Sequence, residues 1–403
     1  MLRGQKKGAK IRVVTKMKNK LHILLIIAII FTAISGAYAD DWYGQYGDYY
    51  KVYNTENNDL LFETAREVSR GDQYLSEDNK MYRVVRVNTK NFMAYAEFVE
   101  DVDLPKVNKE ALKNIKLALE SGSLATFLLA QAGGDQERQV GIYATHSAES
   151  YKPSDGEEST KGGGGIIKVA QQLKNNFQNF GVEAHFDNSS HEPHDAGAYK
   201  RSRRTAAQLM RNQGINTLID VHRDAVPAEQ YLAEIEGEPV SKVRLVVGRR
   251  NQNFKANEEL ATKIKSVADE MRPGLIKDIF YAKGDYNQDL TPRAMLTEIG
   301  TYSHTRQRAE KTTKYLSEVI TTALFGGVME EKTPSKAGAI SKTPKAMETG
   351  NKGSKTGMLG LIAAVIIGGI AFVFISSGSK EWKSKFSNLG QEFSNFIGRR
   401  KKK

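Results

Sequence analysis

A chain of 403 residues, 40% hydrophobic and 26% charged, has the composition of a globular protein with room for about two or three domains. The absence of cysteine excludes disulfides, zinc fingers and thiol nucleophiles, so any metal site must be built from His, Asp and Glu. The net charge of +12 is concentrated in the first twenty and last four residues, beside apolar runs, which points to membrane topology and an anionic wall or lipid surface and away from nucleic acid.

Residues 1–39 read as a signal peptide: a basic leader, an apolar run over 21–34, and Ala37-Tyr38-Ala39 at the spacing a signal peptidase reads. An uncleaved signal anchor is the alternative, and both export Asp40 onward. Residues 40–107 predict a small β-rich accessory module, with strand-like runs at 81–87 and 92–98 separated by Asn, Asp and Gly. Its tyrosines (Tyr43, Tyr46, Tyr49, Tyr50, Tyr53) suit either stacking on sugar rings or filling a small core. Residues 108–135 change to helical spacing and form a connector closed by Gly133-Gly134-Asp135.

Over 136–327, strand-like runs at 140–145, 217–221, 243–247 and 294–299 alternate with helical stretches at 166–180, 198–212, 253–271 and 306–324. That alternation predicts an α/β catalytic domain of three layers around a mostly parallel sheet. Residues 328–356 are polar and aperiodic, a flexible stalk. Residues 357–376 carry an uncharged apolar run of bilayer-spanning length, a single transmembrane helix. Residues 377–403 form a basic tail on the cytoplasmic side, in which Trp382, Phe386, Leu389, Phe393, Phe396 and Ile397 recur at helical spacing for the inner leaflet or a partner helix. The catalytic domain then lies outside the membrane.

The chemistry converges on few residues. His146 and His222 follow the strands 140–145 and 217–221, and the carboxyl ends of strands are where α/β sheets build sites. Glu149 lies three residues beyond His146, and two imidazoles, a carboxylate and water make the expected open catalytic zinc site. In Asp220-Val221-His222-Arg223-Asp224, either aspartate has the means to orient the imidazole, with a structural ion-pair network as the alternative. Glu298 interrupts an apolar strand; burial would raise its pKa toward that of a general base, whereas a solvated strand-end carboxylate is the plain alternative. His191-Glu192-Pro193-His194-Asp195 is a rival metal cluster or a substrate contact, with Pro193 keeping its histidines off one helical face.

Taken in order, the segments THSAESY (145–151), HDAGAYKRSRRTA (194–206), IDVHRDA (219–225), LVVG (245–248), PGLIKDIFYAKGDYNQDL (273–290) and EIG (298–300) resemble the stage II sporulation protein P cell-wall hydrolases, relatives of zinc N-acetylmuramoyl-L-alanine amidases. The resemblance spans residues 140–325. It implies that His146, Glu149 and His222 hold Zn2+ and that Glu298 is the catalytic acid–base residue, with Glu157 or Glu158 as alternatives to Glu149. It also implies roles near the site for Arg223, Tyr286, Asn287 and Gln288, beside His194, Asp195 and Asp224 as candidate contacts to substrate or ligands. The implied reaction is hydrolysis of the lactyl–L-alanine amide of peptidoglycan, and of stem-peptide cross-links as a further bond, during septal wall remodelling in sporulation and engulfment. Peptidoglycan, the membrane and wall enzymes such as a lytic transglycosylase are the implied partners. Vegetative division, germination, or a non-catalytic wall-binding or membrane scaffold are the competing readings.

Overall fold

The computed structural model describes residues 48–131, 138–195 and 197–329. The expected signal peptide, transmembrane helix and basic tail, and the stalk beyond Met329, lie outside these residues. Among the described residues no helix is long and apolar enough to cross a membrane.

The amino-terminal strands are β1 (Tyr50–Asn54), β2 (Leu60–Thr64), β3 (Gln73–Leu75), β4 (Lys80–Asn88) and β5 (Met93–Asp101). Helices α1 (Lys109–Glu120) and α2 (Leu124–Gln131) follow within the expected connector, and the Asn108 side chain caps α1 by accepting from Glu110 N and Ala111 N. The remaining strands are β6 (Gln139–Tyr143), β7 (Glu183–Phe186), β8 (Thr217–Asp224), β9 (Leu232–Ile235), β10 (Glu238–Ser241), β11 (Val243–Gly248), β12 (Ile276–Ala282) and β13 (Arg293–Thr301). Between them lie α3 (Lys152–Asp155), α4 (Gly165–Asn179), α5 (Ala198–Gln213) and α6 (Phe254–Met271), and α7 (Arg306–Phe325) closes the domain.

Eleven strands form one sheet in the order β2-β1-β5-β4-β3-β12-β11-β13-β8-β6-β7. From β12 to β7, β12 with β11, β13 with β8, β8 with β6, and β6 with β7 are parallel, and only β11 with β13 is antiparallel. This mixed α/β architecture carries, from β12 to β7, the mostly parallel sheet that the alternating pattern predicts for residues 136–327, while the β1–β5 end is largely antiparallel. The expected boundary at residue 107 is corrected. The β-rich stretch is not a separate module, because β3 pairs antiparallel with β12 through Tyr74 and Phe280 and continues the sheet. Without β3, β12 would present an unpaired edge lined by buried side chains.

Side chains alternate along a strand, so the register sorts them into two faces. Tyr143, Asp220, Leu296, Val246 and Phe280 occupy one row of one face, and His222, Glu298, Arg244 and Asp278 extend it toward the strand ends. Helix α5 packs Ala206 and Leu209 on this face against Tyr143, Leu218 and Ala294. The other face is covered by α6, whose Phe254 meets Tyr281 at 6.2 Å. Helix α7 packs beside α6 and is tied to α4 by the Asn176–Thr313 hydrogen bond. Helices therefore lie on both sides of the sheet, giving three layers.

The amino-terminal strands do more than extend the sheet. Five strand spacings separate β2 from β12, about 24 Å in a flat sheet, yet Phe62 of β2 stacks on Tyr74 at 4.2 Å and reaches Phe280 at 5.4 Å. The sheet curls over its own face, driven by burial of Tyr50, Phe62, Tyr74, Tyr82 and Phe280 in one cluster. Tyr50 therefore serves the core, and Tyr53 pairs with Tyr95 at 6.0 Å. The curl brings residues 63–66 to the face that carries His222 and Glu298.

Glu258 of α6 is a buried liability: burial, reinforced by Glu259, raises its pKa to about 7, and its Oε1 has no hydrogen-bond partner. Because the folded state holds this proton more tightly than the unfolded chain, its contribution to stability falls as pH rises from the unfolded value through about 7. Glu258→Gln is accordingly expected to raise unfolding stability by about 2 kcal/mol near pH 8 and little near pH 4, read from urea midpoints at the two pH values. An equal gain at both would refute the protonation account.

Candidate metal and catalytic centre

The loop after β6 carries Thr145 to Glu149 across the carboxyl ends of the strands. Asp220 fixes that loop, since its Oδ1 accepts from Thr145 N at 2.8 Å and its Oδ2 from Thr145 Oγ1 at 2.6 Å. The same Oδ1 lies 3.1 Å from His222 Nε2. One buried carboxylate thus pins the loop that carries His146 and sets a negative charge beside the His222 ring. His222 lies within β8, not beyond it, because the strand runs on to Asp224.

Glu149 is drawn in from the far side of the loop. Its Oε1 lies 3.1 Å from His146 Nδ1 and 3.4 Å from His222 Nδ1, and its Oε2 accepts from Arg223 N at 2.9 Å. The glycine run before α4 permits this. A Cβ on Gly164 would sit 2.0 Å from Glu149 O, so only glycine lets α4 start against the loop. His146, Glu149 and His222 each offer a ligand atom, all within 4.8 Å of one another, and all three are buried. Two imidazoles and a carboxylate, with an aspartate behind one ring, fit a zinc ion with an open position. Glu157 and Glu158, the alternatives to Glu149, instead line an adjacent cleft.

Electrostatics follow from burial and pairing. Burial pushes His146 well below the usual imidazole range, against the pull of Glu149. Burial acts the same way on His222, but Asp220 and Glu149 overcome it and raise the ring to about 10. Glu149 is held well below the usual carboxylate range despite burial, chiefly by His222 and His146. The three groups sit as a charged His222–Glu149 pair beside a neutral His146. An ion binding there would displace the His222 proton.

Glu298 stands next to His222 in the sheet register and on the same face. Its side chain is buried; burial raises its pKa, with Arg66 opposing. Arg66 Nε donates to Glu298 Oε1 at 2.6 Å, while Glu298 Oε2 is buried with no hydrogen-bond partner. The solvated strand-end alternative is thereby excluded.

The other expected residues divide. His194 joins the centre: its ring is 4.2 Å from that of His146 and its Nε2 4.0 Å from Glu149 Oε1. Asp195 does not, being half exposed and paired with Arg201. His191 is committed to Ala144 O and Thr205 Oγ1, so the 191–195 cluster does not form a metal site of its own. Arg223 clamps the loop below the centre by donating to Ser150 O and Glu158 O. Asp224 is engaged elsewhere, accepting from Ala65 N, Tyr231 Oη and Arg244. Tyr286 meets the centre through Tyr199, ring to ring at 5.4 Å, and through the Arg66 guanidinium 5.3 Å above its ring. Asn287 donates to Tyr199 O and Ser202 Oγ, and Gln288 bridges Val246 O and Gly248 N, so both brace the backbone around the centre. Sequence reasoning missed Arg66, which carries no local pattern, and passed over Tyr199, although it lies inside the quoted 194–206 segment.

The model of the stage II sporulation protein P family matches residues 55–321, two-thirds of the chain and all of the centre. The chain belongs to the stage II sporulation protein P family. The match includes the strands from β2 onward, in keeping with their place in the same sheet as His222 and Glu298. Stage II sporulation protein P of Bacillus subtilis (strain 168) is 27% identical over 207 residues, covering 47% of this chain. The matched stretch spans 51% of that relative's length. Among solved structures, the CwlD amidase from Clostridioides difficile, in complex with the GerS lipoprotein, is 14% identical and covers 47% of this chain and 95% of its own, at a TM-score of 0.31. The N-acetylmuramyl-L-alanine amidase Ami1 from Mycobacterium smegmatis is 12% identical over 47% of this chain and 96% of its own, at a TM-score of 0.30.

Proposed function

We propose that this chain is a zinc-dependent peptidoglycan hydrolase that cleaves the amide between the lactyl group of muramic acid and the L-alanine of the stem peptide, acting on septal wall during sporulation. The observation that carries this reading is the convergence of His146, Glu149 and His222 beside a buried carboxylate, Glu298, one strand away on the same face. When bound, zinc supplies Lewis acidity toward the scissile carbonyl and the attacking water. Glu298 takes a proton from that water as its oxygen adds to the carbonyl carbon, and returns a proton to the amide nitrogen as the C–N bond breaks. One water is consumed, and a lactyl carboxylate and a free L-alanine amine leave.

A cleft of about 630 Å³ opens beside His194, lined by Lys152, Lys161, Glu157, Glu158 and Glu192. Charges of both signs there suit a stem peptide, which carries carboxylates and, in diamino-acid positions, an amine. The same proposal includes an outward-facing catalytic domain tethered by the span at 357–376, with peptidoglycan and neighbouring wall enzymes such as a lytic transglycosylase as partners.

The test incubates the full chain with purified peptidoglycan, with and without a chelator, and identifies products by mass spectrometry. Stem peptides with a free L-alanine amine, lost on chelation and restored by zinc, are expected. Products cut only within cross-links would replace the amidase assignment with an endopeptidase one. No release in any condition would remove the hydrolase reading.

A further inference from the structure

The β2–β3 connection places a buried arginine against the carboxylate that the proposed chemistry uses. Arg66 is 3% exposed, and its Nε meets Glu298 Oε1 at 2.6 Å across 232 residues of sequence. Its Nη1 donates to Tyr199 Oη at 3.3 Å, and its guanidinium lies over Tyr286. The backbone that delivers it is equally fixed. Arg66 N donates to Thr64 Oγ1, Ala65 N donates to Asp224 Oδ1 at 3.0 Å, and Glu63 O accepts from Arg244 Nη1 at 3.1 Å. Both aspartate and arginine are themselves buried parts of the catalytic sheet. Such pinning is more than a surface ion pair requires, since exposed pairs hold together loosely and contribute little.

We propose that Arg66 is a positioning residue for Glu298: by holding Oε1, it fixes the carboxylate plane and leaves Oε2 as the oxygen that exchanges protons during hydrolysis. The assignment rests on the hydrolase reading above and extends it to a part of the chain that carries none of the site motifs. Its physical basis is division of labour between two oxygens. A carboxylate free to rotate about its terminal torsion samples many orientations, and a misplacement of about 1 Å costs on the order of 100-fold in rate. A guanidinium locked by a tyrosine hydroxyl, an aromatic face and its own braced turn removes that freedom, and the unpartnered Oε2 is what remains for chemistry. Arginine suits the role better than lysine, because its planar fork reaches Glu298 and Tyr199 at once.

The experiment compares Arg66→Ala and Arg66→Lys with the unaltered full chain, measuring kcat and KM on solubilised peptidoglycan fragments, bound zinc, and thermal unfolding. Arg66→Ala is expected to lower kcat on the order of 100-fold with KM and zinc content little changed. Arg66→Lys is expected to recover part of that loss, and added guanidinium ion to restore part of it to Arg66→Ala. In the Glu298→Gln background, Arg66→Ala should have almost no further effect, because the two act as one unit. A rise in kcat would mean that Arg66 blocks the carboxylate. A rise in KM alone would mean that it contacts substrate, and an unchanged kcat would mean that it does neither; each overturns the proposal. If Arg66→Ala does not fold, Arg66→Lys and its coupling to Glu298→Gln still decide the matter. Should the unaltered chain release no product, the hydrolase reading fails instead.

Discussion

Glu298→Gln is expected to lower hydrolysis on the order of 1,000-fold while leaving fold and zinc content intact. The carboxamide keeps the size of the carboxylate, and its oxygen still accepts from Arg66, so the centre has no reason to rearrange. What disappears is the ability of Oε2 to take a proton. The charge change costs stability modestly, since Arg66 exchanges a carboxylate for a neutral acceptor and loses about 1–2 kcal/mol of charge-assisted hydrogen bonding. Relief from burying an anion, the same burial that raises the Glu298 pKa, offsets part of that loss. Activity and stability therefore separate: product release should collapse while the unfolding midpoint shifts by a few degrees at most. Glu298→Gln retaining activity within tenfold of the unaltered chain would remove Glu298 from the chemistry.

The centre was legible in the sequence to the extent that its residues contradict their surroundings. His222 and Glu298 are polar residues within runs such as Thr-Leu-Ile-Asp-Val-His and Ala-Met-Leu-Thr-Glu-Ile, where a buried charge needs a purpose. His146 follows a strand that reads clearly from its apolar run. Glu149 was harder, because a carboxylate three residues from a histidine is common, and only the bend of the loop over Gly164 brings it inward. Asp220 and Asp224 could not be told apart from composition. Strand alternation puts both on the face of His222, and the difference between them lies in their partners: Thr145 for Asp220, and Ala65 and Arg244 for Asp224.

Arg66 was invisible for a different reason. Its role depends on the curl of five strands that bring Phe62 to Phe280, a long-range pairing that no window of sequence contains. The same limit hid β12, in which Lys277 and Asp278 break the apolar run although both are buried with Arg244. It also hid the four-residue edge strand β7, too short to show a period. Residues 40–107 therefore have the sequence of an accessory module. A β-rich stretch with its own turn signals looks independent until its last unpaired edge finds β12.

Arg244→Met is expected to destabilise the protein by about 3–5 kcal/mol, and to lower kcat as well. Arg244 is fully buried; it grips both oxygens of Asp278 at 2.6 and 2.9 Å and reaches Asp224 Oδ2 at 3.0 Å. The rings of Phe62, Tyr231 and Phe280 lie within 6 Å of its guanidinium and exclude water from it. Methionine fills much of the volume but leaves Asp278 with Lys277 and Asp224 with Tyr231 as their remaining charged or hydroxyl partners. The cost is therefore that of under-compensated buried carboxylates, more than that of a lost attraction. Arg244→Lys should cost less than Arg244→Met, since it keeps a charge but cannot span Asp278 and Asp224 together. Arg244→Met with Asp278→Leu should recover part of the stability relative to Arg244→Met alone, because it removes the under-compensated carboxylate, although buried Lys277 then loses that partner. The effect on kcat has a route of its own: Asp224 and Arg244 together hold Ala65 and Glu63, and hence the turn that presents Arg66 to Glu298. Urea unfolding of the four chains, with kcat measured on each, separates the two consequences. Stability recovered in the double variant with kcat still depressed is the expected pattern, and Arg244→Met within 1 kcal/mol of the unaltered chain would show that the network does not couple the curled strands to the centre.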